Sequence, residues 1–214
     1  RVIQFFREFF GYYKAGEVFK DVDKFQKRDG FKHFNSGTAS KLTYDTDSLI
    51  QHILAEDKNV LYELLTTDKV IVSYWNGKNS KDQIKKSRGE QKYVETHHLQ
   101  AYNLDPFEMA YETGDSGKVL AVSRDQRCGI LTQPSWLVAH SGNFDNDPVR
   151  RGKWIREKLL AGTVLDIPVT VDAQIPEDEH KTLRERFSVV NEAECYRCHR
   201  KMNPLGMPFE SFNH

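Results

Sequence analysis

Five consecutive residues, Cys195-Tyr196-Arg197-Cys198-His199, carry the most specific chemistry in the sequence. Two thiols separated by two residues lie one helical turn apart, so both can reach the two vinyl groups of one porphyrin. A histidine directly after the second is placed to ligate the iron as its proximal ligand. The spacing therefore predicts haem c, with Cys195 and Cys198 as thioether donors and His199 on the metal. The same thiol pair serves two other chemistries. Zinc needs about four ligands, and a redox dithiol is expected beside a βαβ pattern. Against these, Cys128 is the only other cysteine, no second Cys-x-x-Cys or His-x-x-x-His pair occurs, and no βαβ order is evident. A binding module stapled by zinc or a disulfide stands as the non-haem alternative. Cys128 itself reads as a buried free thiol.

The ligand on the opposite side of the iron decides the functional class, because two strong ligands favour electron transfer and an open position favours small-molecule chemistry. His140 is the first candidate, with His97, His98, His214 and Met207 behind it. His97 and His98 are adjacent and on a helix point about 100° apart, so one at most faces a common site. Met202 follows His199 by three residues and stays on the proximal side of a continuing helix. Asn203-Pro204-Leu205-Gly206 reads as a turn. Met202, Leu205, Met207 and Phe209, with the prolines among them, are expected to wall the haem pocket. Arg150, Arg151, Arg197, Arg200 and Lys201 are candidate partners for propionates, set against the ordinary fate of such residues as a solvated surface. Two functions follow. One is an electron-transfer module serving a partner redox domain or protein. The other is a haem enzyme with peroxidase-like or oxidative activity, on polysaccharide for example.

The elements that must position these residues are mostly helical. Residues 2–15 place Phe5, Phe6, Phe9, Phe10 and Tyr13 at helical spacing, an aromatic face suited to a core. Residues 16–44 read as a loop, in which Asp21, Asp23 and Asp29 fall short of a calcium-binding spacing. Asp45-Thr46-Asp47 reads as the cap of a helix to about Glu56 with Leu49, Ile50, Ile53 and Leu54 inward. A second helix with Val60, Leu61, Leu64 and Leu65 inward completes a hairpin. Residues 70–75 read as a short strand or the start of a loop, and 118–122 as a short strand. A short helix ends near His140, and Asp147 with Pro148 opens another on which Val149, Gly152, Ile155 and Leu159 share a face. Glu177-Asp178-Glu179 is expected to open a helix with Leu183, Phe187 and Val190 inward. The fold class is therefore mainly α, an irregular helical bundle with long loops and few short strands, ending in a cytochrome c-like haem-binding region. Two domains are expected, residues 1–115 and the haem-binding 116–214.

Composition limits the rest. The 214 residues hold 31 Lys+Arg against 31 Asp+Glu, a formal net charge of zero, with 38% hydrophobic residues. This balance gives no basic surface for nucleic acid and no polybasic membrane patch. No apolar run reaches the length of a membrane span. The chain starts inside an amphipathic pattern, which points to a segment of a longer protein. Covalent haem attachment to this motif takes place outside the cytoplasm in bacteria, so the motif implies a periplasmic or otherwise extracytoplasmic site.

ILTQPSWL, DPVRRGKWIREKLL, TLRERF and CYRCHRKMNPLGMPFESF, from about Cys128 onward, resemble the C-terminal region of planctomycete-type cytochrome c-like secreted proteins. FFREFFGYYKAGEVFKD and DTDSLIQHILAEDKNVLYELLTTD are similar to the preceding domain of the same proteins, and the resemblance is weak between about 70 and 127. It implies a haem c module of unestablished reaction, usually fused to further cytochrome-like segments. Other cytochrome domains, in the same longer chain or in separate redox proteins, are then the expected partners. The sequence departs from that pattern at Cys128, where the family often has glycine, and at Met207, where it often has an aromatic residue.

Overall fold

A computed structural model of the chain describes residues 1–21, 36–72, 101–102, 118–121, 127–143, 145–165, 175–176, 178, 180–191 and 193–212. The fold is mainly helical, as the sequence predicts. It divides into two compact units, Arg1–Ala139 and His140–His214. The domain boundary expected at residues 115/116 lies outside the described residues.

In the first unit, α1 (Val2–Phe10) stops at Gly11, whose φ of 71° ends the helix with its N–H on the Arg7 carbonyl at 2.8 Å. A 3₁₀ turn, Tyr12–Glu17, follows. This early stop alters the expected aromatic face. Phe10 and Tyr12 are buried, whereas Phe5 is 59% exposed and Tyr13, displaced from the helical register, is 37% exposed. Helix α2 (Ser36–Glu56) is longer than expected. It takes in residues 36–44, read from sequence as loop. It also places Asp45-Thr46-Asp47 in mid-helix rather than at an N-cap.

The side chains of these three residues answer distant partners instead of local backbone amides. Asp47 accepts from Arg7 Nε at 3.0 Å and from Tyr12 Oη at 2.7 Å. Asp45 accepts from Tyr102 Oη at 3.3 Å. The Thr46 hydroxyl donates back to the Leu42 carbonyl at 3.0 Å and accepts from the Ser135 hydroxyl at 2.6 Å. Asp47 is thereby buried with its charge paired to Arg7, and Asp45 with a hydroxyl donor. Burial also drives the Tyr102 hydroxyl well above its usual range, with the Asp45 charge adding to the effect.

Helix α3 (Val60–Thr66) follows, with Leu64 buried but Leu61 65% exposed, so only part of its expected inner face is used. Strands β1 (Lys69–Val72) and β2 (Lys118–Ala121) pair antiparallel with Lys69 opposite Ala121. Helix α4 (Pro134–Ala139) is wholly buried. Ala39, Leu42, Val70, Val72, Tyr102 and Val138 share one core. Cys128 is a free thiol, half-buried rather than buried, and donates toward the Thr66 carbonyl at 3.6 Å.

In the second unit, α5 (Pro148–Trp154) begins as the sequence predicts. Asp147 accepts from the Arg150 backbone N–H at 2.8 Å, and Pro148 occupies the first turn. A π-helical turn, Ile155–Leu159, continues it. Helix α6 (Leu183–Arg186) opens on a reciprocal Thr182–Glu185 capping box. The acidic run expected to open it lies earlier, and Asp178 instead accepts from the His180 backbone N–H at 3.0 Å. A 3₁₀ turn (Phe187–Asn191) buries Phe187 and Val190, and α7 (Ala193–Gly206) follows.

Helix α7 packs against α5 almost backbone to backbone. A Cβ on Gly152 would strike the Met202 carbonyl, and one on Gly206 would strike the Pro148 carbonyl. The contact also corrects the reading of Asn203-Pro204-Leu205-Gly206. These residues are helical, not a turn, because the seat of Gly206 on Pro148 holds the last turn in place despite the proline.

Two stability predictions follow from these contacts. Asp47→Ala strands the Arg7 cation and the buried Tyr12 hydroxyl and costs about 2–3 kcal/mol, against about 1 for Tyr12→Phe. The order of the two urea midpoints checks this. Gly152→Ala gains about 1 kcal/mol of helix propensity but overpacks a contact with backbone that cannot yield. It is therefore expected to be destabilising by about 1–3 kcal/mol, and a raised midpoint would contradict the close crossing.

Candidate functional site

Helix α7 sorts the candidate residues by its period. Cys195, Met202 and Gly206 line one side, and the adjacent Cys198 and His199 flank that line, each three or four residues from both Cys195 and Met202. Burial follows the same order. The two cysteines and His199 are half-buried, Met202 and Gly206 are buried, and Tyr196, Arg197, Arg200, Lys201 and Pro204 are exposed. The half-buried cysteines and histidine are therefore continuous with the side that seats on α5. No disulfide joins any of the three cysteines. His199 Nδ1 lies 3.0 Å from Asn203 Oδ1, one turn further along α7.

Beside Cys198 is a cleft of about 250 Å³ lined by Val164, Leu165, Arg197, Arg200 and Lys201. The structure thus separates the five basic candidates. Arg197, Arg200 and Lys201 stand at the cleft and form no ion pair among the described residues. Arg150 is held by Asp147 at 3.4 Å and by the Ser141 carbonyl at 3.2 Å.

Arg151 is fully buried. Its guanidinium donates to the carbonyls of His140 at 3.2 Å and Phe209 at 3.1 Å and to Asn146 Oδ1 at 3.2 Å, with Glu210 at 3.8 Å. Burial pushes Arg151 down to about 10, partly offset by the charges of Glu210 and Asp147. These contacts make it a structural clamp.

Of the other candidates, His140 is buried, with its ring centroid 5.8 Å from that of Trp154 on α5. Leu205, Met207 and Phe209 are half-buried at and beyond the end of α7, in the last turn and the 3₁₀ turn Met207–Ser211. His97, His98 and His214 lie outside the described residues. Among the described residues no three of His, Cys, Asp and Glu gather as a metal-binding group. No helix among them is long and apolar enough to cross a membrane.

Sequence reasoning missed Asn203, Glu210 and the Val164-Leu165 wall. Only Asn203 had a local signal, its position four residues after His199, and reading the segment as a turn hid it.

Residues 127–214 match the sequence model of PSCyt3, described as Protein of unknown function (DUF1588), a planctomycete cytochrome-associated domain family. The match covers less than half of the chain. No curated protein and no solved structure matches it.

Glu210 gives this unit a pH signature. Burial raises its carboxyl above the ordinary value of 4.5, against the opposing pull of Arg151 and Asn146. Such a group contributes stability in full below its unfolded value, and that contribution is lost as pH rises through the folded one. Glu210→Gln removes the loss. The stability difference between variant and wild type is expected to move in favour of the variant as pH rises from about 4 to about 8. Urea midpoints across that range test it, and a pH-independent difference would refute the assignment.

Proposed function

We propose that α7 is a c-type haem attachment site and that the chain is an extracytoplasmic electron-transfer module. The observation that carries this reading is the shared side of α7 on which Cys195, Cys198 and His199 are all half-buried. The donor set fits the group. The two thiols are unpaired and one turn apart, and the imidazole already has one nitrogen engaged by Asn203. That engagement is the usual condition of a metal-bound histidine. The cleft beside Cys198 adds two apolar side chains and three cations without ionic partners among the described residues. Its volume is below the roughly 300–1,000 Å³ of a complete ligand pocket, and of the three attachment residues only Cys198 lines it. The cytochrome-associated family match over residues 127–214 supports the same reading.

In this proposal Cys195 and Cys198 hold the porphyrin through thioethers, and His199 Nε2 is the proximal ligand. Bound haem supplies a one-electron couple. Arg197, Arg200 and Lys201 offer charge-assisted hydrogen bonds to its carboxylates. Met202, Leu205, Met207 and Phe209 remain the proposed apolar surround, and His140 the proposed distal ligand. The partner is another redox domain or protein, and the covalent bond places attachment outside the cytoplasm.

Exporting the chain in a bacterium equipped for cytochrome c maturation tests the reading. The expected product carries the mass of one haem that survives denaturation, and Cys195→Ser with Cys198→Ser abolishes it. An exported, folded chain of unmodified mass would overturn the proposal. A strong spectral shift of the reduced protein with carbon monoxide would overturn the electron-relay role while leaving haem attachment intact.

A further inference from the structure

The geometry points to Asn203 as the positioning residue for the His199 imidazole, an inference that rests on the haem reading above. Asn203 Oδ1 lies 3.0 Å from His199 Nδ1. An amide oxygen only accepts hydrogen bonds, so the nitrogen facing it must carry the proton. In the neutral ring the lone pair is then on Nε2. Asn203 thereby selects the tautomer that leaves Nε2 able to bind a metal, and the hydrogen bond makes the ring a stronger donor.

The pairing depends on helical spacing surviving into the Asn203-Pro204 segment. Proline would ordinarily break it, and the Gly206 contact with Pro148 preserves it. Both partners are half-buried, which limits competition from water. The alternative, a hydrogen bond that merely supports the helix, predicts a stability effect with no consequence for the ring's electronic state.

The two alternatives separate in the full chain carrying Asn203→Leu, with Asn203→Asp as the conservative variant that retains the acceptor. In the matured protein, Asn203→Leu should weaken the ring as a donor and shift the reduction potential upward, because the oxidised iron loses more stabilisation than the reduced. Asn203→Asp should hold the potential at or below the wild-type value. Potentials unchanged in Asn203→Leu would overturn the positioning role.

A second measurement needs no haem. In the full chain expressed without maturation and labelled with ¹⁵N-histidine, wild-type His199 at alkaline pH should show the Nδ1–H tautomer, and Asn203→Leu should shift it toward Nε2–H. A wild-type Nε2–H tautomer would overturn the inference. Failure of the haem reading itself is seen separately, as an unmodified mass of the exported wild-type chain.

Discussion

The C-terminal unit depends on two helices meeting without side chains between them. Gly152 of α5 and Gly206 of α7 each face a backbone carbonyl of the other helix. An approach this close leaves α7 little freedom to rotate about its axis. Rotation would lift Gly206 from Pro148 and drive a neighbouring side chain into backbone. The constraint therefore fixes which side of α7 is covered. The half-buried state of Cys195, Cys198 and His199 follows from it, because they lie on the covered side.

Arg151, next to Gly152, closes the same region from the side. A buried cation is expensive unless several groups answer it. Here three oxygens do, from residues before α5 and beyond α7, with Glu210 near enough to share the charge. The clamp holds the His140 backbone and the Phe209 backbone to one side chain. Its cost is visible in both partners, since burial lowers Arg151 and raises Glu210 away from their charged forms.

What the sequence made legible was local. The Cys-x-x-Cys-His spacing needs one helical turn, the Asp147-Pro148 start needs only its own residues, and the inward Leu49, Ile50 and Ile53 follow from period alone. What it hid was decided at a distance. Asp45-Thr46-Asp47 has the composition of a cap, but Arg7, Tyr12, Tyr102 and Ser135 make it a buried mid-helix cluster, and none of these is near in sequence. The Asn203–Gly206 segment has the composition of a turn, but Pro148 holds it helical. Arg151 looked like one basic residue among five, and only the fold distinguishes the buried clamp from the three cations at the cleft. In each case the same residue types satisfy either a local or a tertiary demand, and the partners determine which prevails.

On the proposed reading, this division of labour bears on how the iron's two sides would be governed. The proximal side is set within one helix, by His199 and Asn203 on α7. The proposed distal histidine, His140, belongs to another segment whose carbonyl is clamped by Arg151 and whose ring lies against Trp154. Arg151 and Trp154 are both on α5, the helix against which α7 is fixed. The helix that carries His199 and the segment that carries His140 thus both contact α5. Were haem bound, ligands borne by two segments that both pack on one helix would need little reorganisation when charge changes, which suits a site that passes electrons more than one that must open to admit a substrate. On the proposed reading, the preference for a relay over an enzyme rests on that shared helix more than on the five-residue motif.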